Sequence, residues 1–373
     1  MTGPDVTTEL LPGQELHDLL AAARSRPGLA PATLLGRPAL MVTRHADLTS
    51  FMVDEASFPG GPIYQFQVEP AVGRTFISMD GDEHLAVRRQ AMPAFRSGPV
   101  SHFIDDQLIP LAHEVVDRFA GRGEADLVAE LAQVLPYWAI SRKLGLPVGS
   151  EDRQRAVTRA LLAHVADPHG AARAAAAIDD VVRPVMDDRR REPQDDVLSQ
   201  LIAAGMDEQQ VLSHVRLLYA VGATTTSDAM SNLFFHVLTR PELRGADVTK
   251  LVNETLRMEP PVALLPRLAT QEAAVGDTVV PAGTLLLAAL AAGNRDPDVF
   301  ADPRRFDPER QGKEVLSFGV GPKFCPGWNL ARSQLAAALT VVLERLPRLT
   351  LRSAEEPVGC ILRATPSVVV CWR

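Results

Sequence analysis

Residues 207–239 carry an unbroken helical apolar pattern with no proline inside it. Apolar side chains fall at Val211, Leu212, Val215, Leu218 and Tyr219, then at Met230, Leu233, Phe234, Val237 and Leu238. These are i, i+3, i+4 spacings on more than one face, so such a helix must be covered on several sides. At 1.5 Å per residue it would run about 50 Å and sit buried at the centre of its fold. Asp207 stands where an N-cap is needed, its carboxylate able to accept an orphan N–H of the first turn.

The remaining periodicity agrees with a helical protein. It predicts helices over 105–135, interrupted at 121–123, over 151–164, over 171–191 after a breaker at 166–170, and from Asp195-Asp196 toward Ala204. Residues 248–258 form a short helix stopped by Glu259-Pro260-Pro261, and 328–346 a second strong one. Strand-like pieces lie at 267–270, 274–280 and 284–290, an irregular Pro- and Arg-rich segment covers 294–310, and 361–372 reads as a hairpin. The class is mainly α (α+β) with small β regions, not the alternation that predicts a parallel sheet. No repeat or low-complexity linker divides residues 1–373, so a single domain is expected.

Composition removes several function classes. The chain is 46% apolar and 23% charged, the ordinary globular range, and long enough to fold without a disulfide or structural metal. A net charge of −8 argues against nucleic-acid binding through bulk positive charge. Of 38 basic residues only four are lysine, which with the high alanine content suggests a GC-rich genome. Three cysteines, Cys325, Cys360 and Cys371, form no disulfide framework and suit a reducing compartment. Residues 1–20 lack a basic start followed by an apolar core, and the longest apolar run, 285–292, is far short of the roughly 20 residues of a membrane span. A cytoplasmic protein with no membrane or nucleic-acid partner is expected.

The most informative segment is 317–332, Ser-Phe-Gly-Val-Gly-Pro-Lys-Phe-Cys-Pro-Gly-Trp-Asn-Leu-Ala-Arg. Gly319, Gly321 and Gly327 surround Cys325 just before a helix, and glycines permit positive φ and close backbone approach. A helix N-terminus favours thiolate, and a thiolate facing backbone N–H groups suits ligation of a haem iron. A phosphate loop would need G-x-x-x-x-G-K-[ST]. A dinucleotide loop would need a third glycine where Phe324 stands, and no second cysteine lies at zinc spacing. The residues alone leave two readings open: a haem ligand, or a structural cysteine buried in a turn.

The series Phe318, Gly319, Gly321, Lys323, Cys325, Gly327 resembles F-G-x-G-x-[basic]-x-C-x-G, the haem-loop signature of the cytochrome P450 monooxygenases. The family usually has His or Arg where this chain has Lys323, which keeps the charge but not the forked donor geometry. The resemblance extends over most of the chain in the expected order. Glu254-Thr-Leu-Arg257 matches the E-x-x-R helix motif, whose i, i+3 spacing lets the two pair, and Arg310 in Phe306-Asp-Pro-Glu-Arg supplies the family's third member. His84 and Arg88 match H-x-x-x-R, and Arg267 matches a further haem-contacting position. The resemblance therefore implies haem b (iron protoporphyrin IX), with Cys325 as metal ligand. It places Phe318, Gly319 and Gly327 around the cofactor, with His84, Arg88, Arg267 and Lys323 neutralising its two propionates. The haem would lie between the central helix and the cysteine-loop helix.

Val221-Gly-Ala-Thr-Thr-Thr226 resembles the oxygen-activation motif [A/G]-G-x-[D/E]-T-[T/S], with Thr225 as the usual threonine. Gly222 would let the helix bulge. A threonine run bonding back to preceding carbonyls would bend it as well, so distortion is expected here on either count. The family's acid falls on Thr224, so no carboxylate stands there; Asp228, one turn on, is a candidate substitute, or water and the Thr224 and Thr225 hydroxyls relay protons.

By resemblance the activity is insertion of one oxygen atom from dioxygen into a small, largely apolar molecule. The alternative is a peroxygenase or atypical haem protein, motivated by Thr224. A cysteine nucleophile without haem would instead need a His and an acid beside Cys325. No flavin or iron–sulfur motif is visible and the chain ends 48 residues after Cys325. Electrons would therefore come from a separate ferredoxin and ferredoxin reductase, docking near Arg88, Arg89 and Arg332. The expected substrate wall is 62–76, 221–223, 262–265 and 361–362, with 166–170 as a mobile lid.

Overall fold

The computed structural model describes residues 3–243, 245–311 and 315–373. The helices that position the site are, in chain order, α1 (Gln14–Arg24), α2 (Gly81–Ala91), α3 (Leu135–Leu144), α4 (Glu151–Leu162), α5 (Pro168–Arg191), α6 (Glu208–Leu238), α7 (Val248–Met258) and α8 (Trp328–Arg345). The strands are β1 (Ala30–Leu34), β2 (Arg37–Val42), β3 (Glu124–Asp126), β4 (Leu264–Leu268), β5 (Ala273–Val275), β6 (Thr278–Val280), β7 (Leu285–Ala289), β8 (Thr350–Ala354) and β9 (Val368–Cys371).

The long apolar pattern is α6, 31 residues and so about 46 Å long. Asp207 accepts the Gln210 N–H at 2.8 Å while the Gln210 side chain accepts the Asp207 N–H at 2.9 Å, a reciprocal cap that fixes where the helix starts. Val211, Val215, Leu218, Met230, Leu233 and Phe234 are all buried, because α3, α4, α7 and α8 pack around the rod. Asp167 and Pro168, inside the predicted breaker, cap and open α5: the Asp167 carboxylate accepts the Gly170 N–H at 2.8 Å.

One sheet has the order β1-β2-β7-β4; β2 and β7 are parallel and the other pairs antiparallel. All five residues of β7 are buried, as its uninterrupted Leu-Leu-Leu-Ala-Ala sequence requires of a central strand. β3, β9 and β8 form a second sheet, and β5 and β6 a hairpin around Gly276.

Several local expectations fail. β3 lies inside the span predicted helical, drawn into pairing with β9, and α3 begins where that prediction ended, behind a proline at its first turn. Residues 361–372 are not a hairpin: only β9 is a strand, while Leu362 and Ala364 make isolated bridges to Val262 and Val358. Residues 3–80, left unassigned by periodicity, hold α1, the β1–β2 hairpin and a short helix, Gly61–Gln67.

Two buried charge clusters brace this frame. Glu254 accepts from Arg257 at 2.7 and 2.8 Å, from Arg310 at 3.3 Å and from the Asp307 N–H at 2.8 Å. Arg257 also donates to the carbonyls of Asn294 and Pro303, pinning the irregular segment beside α7. The second cluster carries no sequence motif. Glu259 meets His17 of α1 at 2.9 Å, His236 of α6 at 3.4 Å, Arg295 at 3.7 Å, and Arg363. Burial alone would push the Glu259 carboxyl up; His17, His236 and Arg363 hold it well below the carboxylate range. Arg363 further donates to the carbonyls of Leu11 and Gly13, and Gly359 N–H to Leu10.

Candidate active site

A cavity of about 690 Å³ opens between α6 and the cysteine loop. Glycines shape the loop: Gly319 and Gly321 both have φ of 72°, and a Cβ on Gly321 would stand 2.9 Å from Val53. The Cys325 N–H donates to the Phe318 carbonyl at 2.8 Å, closing the turn below the cavity. Burial pushes the Cys325 thiol up, and the N–H groups of Gly327 and Trp328 at the start of α8, with Arg88, only partly offset this.

His84, Arg88, Arg267 and Lys323 border the same cavity. His84 is fully buried on α2, neither ring nitrogen has a partner, and burial together with Lys323 and Arg88 lowers its pKa to about 4. Arg88, one turn on, donates to the carbonyls of Pro322 and Phe324 in the loop, at 3.1 and 2.5 Å. Arg267 of β4 is buried and donates to its neighbour Pro266. Lys323 donates to the Met79 carbonyl and pairs with Asp80 at 3.2 Å. Sequence reasoning missed Asp80, whose carboxylate also accepts the N–H groups of Gly60 and Gly61, at 3.0 and 2.9 Å. Its position just before α2 was the available signal.

Facing the loop, Thr224, Thr225 and Val221 of α6 border the cavity. Each threonine hydroxyl donates four residues back: Thr224 to Ala220 at 2.9 Å, Thr225 to Val221 at 2.8 Å, Thr226 to Gly222 at 2.9 Å. With these bonds in place α6 stays helical from Glu208 to Leu238. A Cβ on Gly222 would stand 3.0 Å from Ile140 Cδ1, so the glycine serves close packing of α3 on α6. Asp228 does not border the cavity; burial pushes its pKa up to about 7, against the pull of Arg159. Among the described residues no Asp or Glu lines the cavity, and apart from the threonines its distal wall is mainly apolar.

Phe318, Gly319, Lys323, Cys325, Gly327, His84, Arg88, Arg267, Thr224 and Thr225 thus share one cavity. Each of the expected spans contributes, with Tyr64, Phe76, Val221, Val262, Leu265 and Ile361 among the lining residues, whereas Ala223 is buried elsewhere. Leu34 and Leu35 of the β1–β2 hairpin and Val165 after α4 also line it and were not anticipated. Of the arginines assigned to partner docking, Arg88 turns inward and Arg332 stacks over Trp328, which leaves Arg89 exposed.

These residues fit a flat iron macrocycle carrying two carboxylates. One buried sulfur can take the metal, unpartnered His84 and three cations can meet the carboxylates, and the glycine loop leaves room beneath. Among the described residues no group of three His, Cys, Asp or Glu could hold a metal by itself. A cysteine nucleophile also lacks support, since among the described residues no acid lines the cavity to orient His84.

Comparison with known proteins agrees. The Cytochrome P450 family model matches residues 248–358, which include Glu254, Arg257 and the cysteine loop. Cytochrome P450 107B1 of Saccharopolyspora erythraea is 31% identical over 369 residues, covering 92% of this chain and 90% of that one. The mycinamicin IV hydroxylase/epoxidase of Micromonospora griseorubida is 32% identical, covering 96% and 94%. The solved structure of CYP109Q5 from Chondromyces apiculatus superposes with a TM-score of 0.88 at 26% identity, over 100% of this chain and 99% of that one. This chain belongs to the cytochrome P450 family of haem-dependent monooxygenases. Among the described residues no helix is long and apolar enough to cross a membrane.

Proposed function

We propose that this monooxygenase hydroxylates or epoxidises a small, largely apolar organic substrate, taking electrons from a separate ferredoxin and its reductase in the cytoplasm, with residues 1–373 acting as one catalytic domain. The observation that carries the substrate class is the distal wall: Leu34, Val221, Val262, Leu265, Ile361 and Leu362, with no acid among the lining residues. The name of the mycinamicin relative, pairing hydroxylase with epoxidase, supports both reaction types.

Haem b, when bound, supplies oxygen activation, and a thiolate ligand favours O–O cleavage. Cys325 is the ligand in this reading. His84, Arg88 and Arg267 hold the propionates, and Lys323 joins them by exchanging its contacts with Met79 and Asp80. Gly319 and Gly327 would leave a thin floor beneath the macrocycle, and the Phe318 ring would border it.

Thr224 and Thr225 hold the proton path. As they stand, both hydroxyls spend their protons on helix carbonyls and offer only lone pairs to the cavity. To pass a proton on, Thr225 must rotate away from the Val221 carbonyl, a bond worth about 1 kcal/mol, and accept a replacement proton from water. Thr225→Ala should sharply lower the fraction of reductant converted to product; an unchanged fraction would remove Thr225 from the path. Thiolate ligation is tested by the spectrum of the reduced, carbon monoxide-treated protein: a strongly red-shifted Soret band, lost in Cys325→Ser.

The absence of any carboxylate from the cavity among the described residues favours one second reading, a peroxygenase or atypical haem protein. Turnover faster with hydrogen peroxide than with reduced ferredoxin and dioxygen would select it.

A further inference from the structure

One carboxylate joins two walls of the cavity that lie far apart in sequence. Asp80 Oδ1 accepts the Gly60 N–H at 3.0 Å and Asp80 Oδ2 the Gly61 N–H at 2.9 Å. Gly61 opens the short helix Gly61–Gln67, whose Tyr64 and Gln67 line the cavity. Gly60 has no side chain to cap that helix, so Asp80 satisfies its leading N–H groups from 20 residues further along. A Cβ on Gly61 would overlap Asp80 Oδ2, which reserves that position for the carboxylate.

The other side of Asp80 faces the cysteine loop. Lys323 pairs with it at 3.2 Å, and the Lys323 side chain is only 8% exposed. A Cβ on Gly60 would stand 3.3 Å from Lys323 Cε and 3.6 Å from Arg267 Cζ. The start of the wall helix thus lies against two of the cations assigned to the propionates. A cation this buried needs a counter-charge, and Asp80 and a propionate can each supply it.

We propose, on the haem reading above, that Asp80 is a positioning residue with two opposed duties. It seats the helix that carries Tyr64 and Gln67, and it competes with the haem propionates for Lys323. Asp80→Asn separates the duties. The asparagine keeps one acceptor oxygen, so the wall loses part of its seat. It carries no charge, so Lys323 is freed for the propionates. Wall order and haem retention should therefore change in opposite directions, whereas a merely structural defect would lower both.

The test follows two readouts on the haem-loaded full chain: haem transfer to excess apomyoglobin, and hydrogen exchange at the amides of residues 60–67. In Asp80→Asn, haem transfer should slow about threefold or more while exchange at Gly60 and Gly61 speeds up about tenfold. Gly61→Ala, which helix propensity alone would make firmer, should instead speed exchange across 61–67 by displacing the carboxylate. Lys323→Met should speed haem transfer about tenfold, and adding Asp80→Asn to it should no longer slow the transfer. Any other combination of signs in Asp80→Asn would overturn the proposal. So would exchange unchanged or slowed in Gly61→Ala. A chain that takes up no haem would overturn the haem reading and the competition together; one that holds haem but fails the opposite-sign test overturns the competition alone.

Discussion

Gly222 shows how a single residue can serve two ends. It sits in the oxygen-activation motif, yet what the structure demands of it is the absence of a Cβ beside Ile140 Cδ1. Gly222→Ala should therefore cost about 1–3 kcal/mol through overpacking, and Ile140→Val, which removes the encroaching atom, should recover most of it. Denaturation midpoints of the two single variants and the double variant check this; additive effects would refute the close approach. The motif residues were legible because their chemistry ties residue types to fixed spacings, as in the cysteine loop or Glu254 and Arg257. Asp80 and Glu259 were not, because the partners that define them, Lys323 for one and His17 and Arg363 for the other, are remote in sequence.

Among the elements, α1 has a pH dependence that can be derived. His17 is buried against Glu259, and burial lowers its pKa from 6.5 to about 4. A histidine whose folded pKa is depressed contributes stability above the unfolded value and loses it as pH falls through the folded one. The docking of α1 should thus weaken between pH 6.5 and about 4, by up to roughly 3 kcal/mol for a shift of this size. Hydrogen exchange on α1 amides at pH 7 and 4.5 measures it, and equal protection at both would contradict the burial of a neutral His17. Legibility at this scale followed local signals. α6 and α7 matched their predicted spans closely because Asp207 and Asp247 cap them from within their own sequence. β3 and α3 were missed because the neighbours that select them, β9 and α6, come much later in the chain.

For the whole molecule, α5 is tied to the central helix α6 by a buried ion pair. Arg216 of α6 donates to Asp179 of α5 at 2.7 Å and to the Val72 carbonyl at 3.1 Å. Arg216→Met should destabilise by about 3–5 kcal/mol because it strands the buried Asp179 carboxylate, and Asp179→Leu in the same chain should restore much of the loss. Thermal unfolding of the three variants decides; a harmless single variant would show that Arg183, also near Asp179, suffices. Fold class was legible from the helical periodicity along the chain, whereas the cavity wall, drawn from separate segments, needed the assembled fold. The Arg363 contacts with Leu11 and Gly13 have a temporal consequence. Leu11 leaves the ribosome 352 residues before Arg363 does. At roughly 5–20 residues per second this is an interval of roughly 20–70 s, in which α1 exists without its anchor and is open to chaperones or proteases.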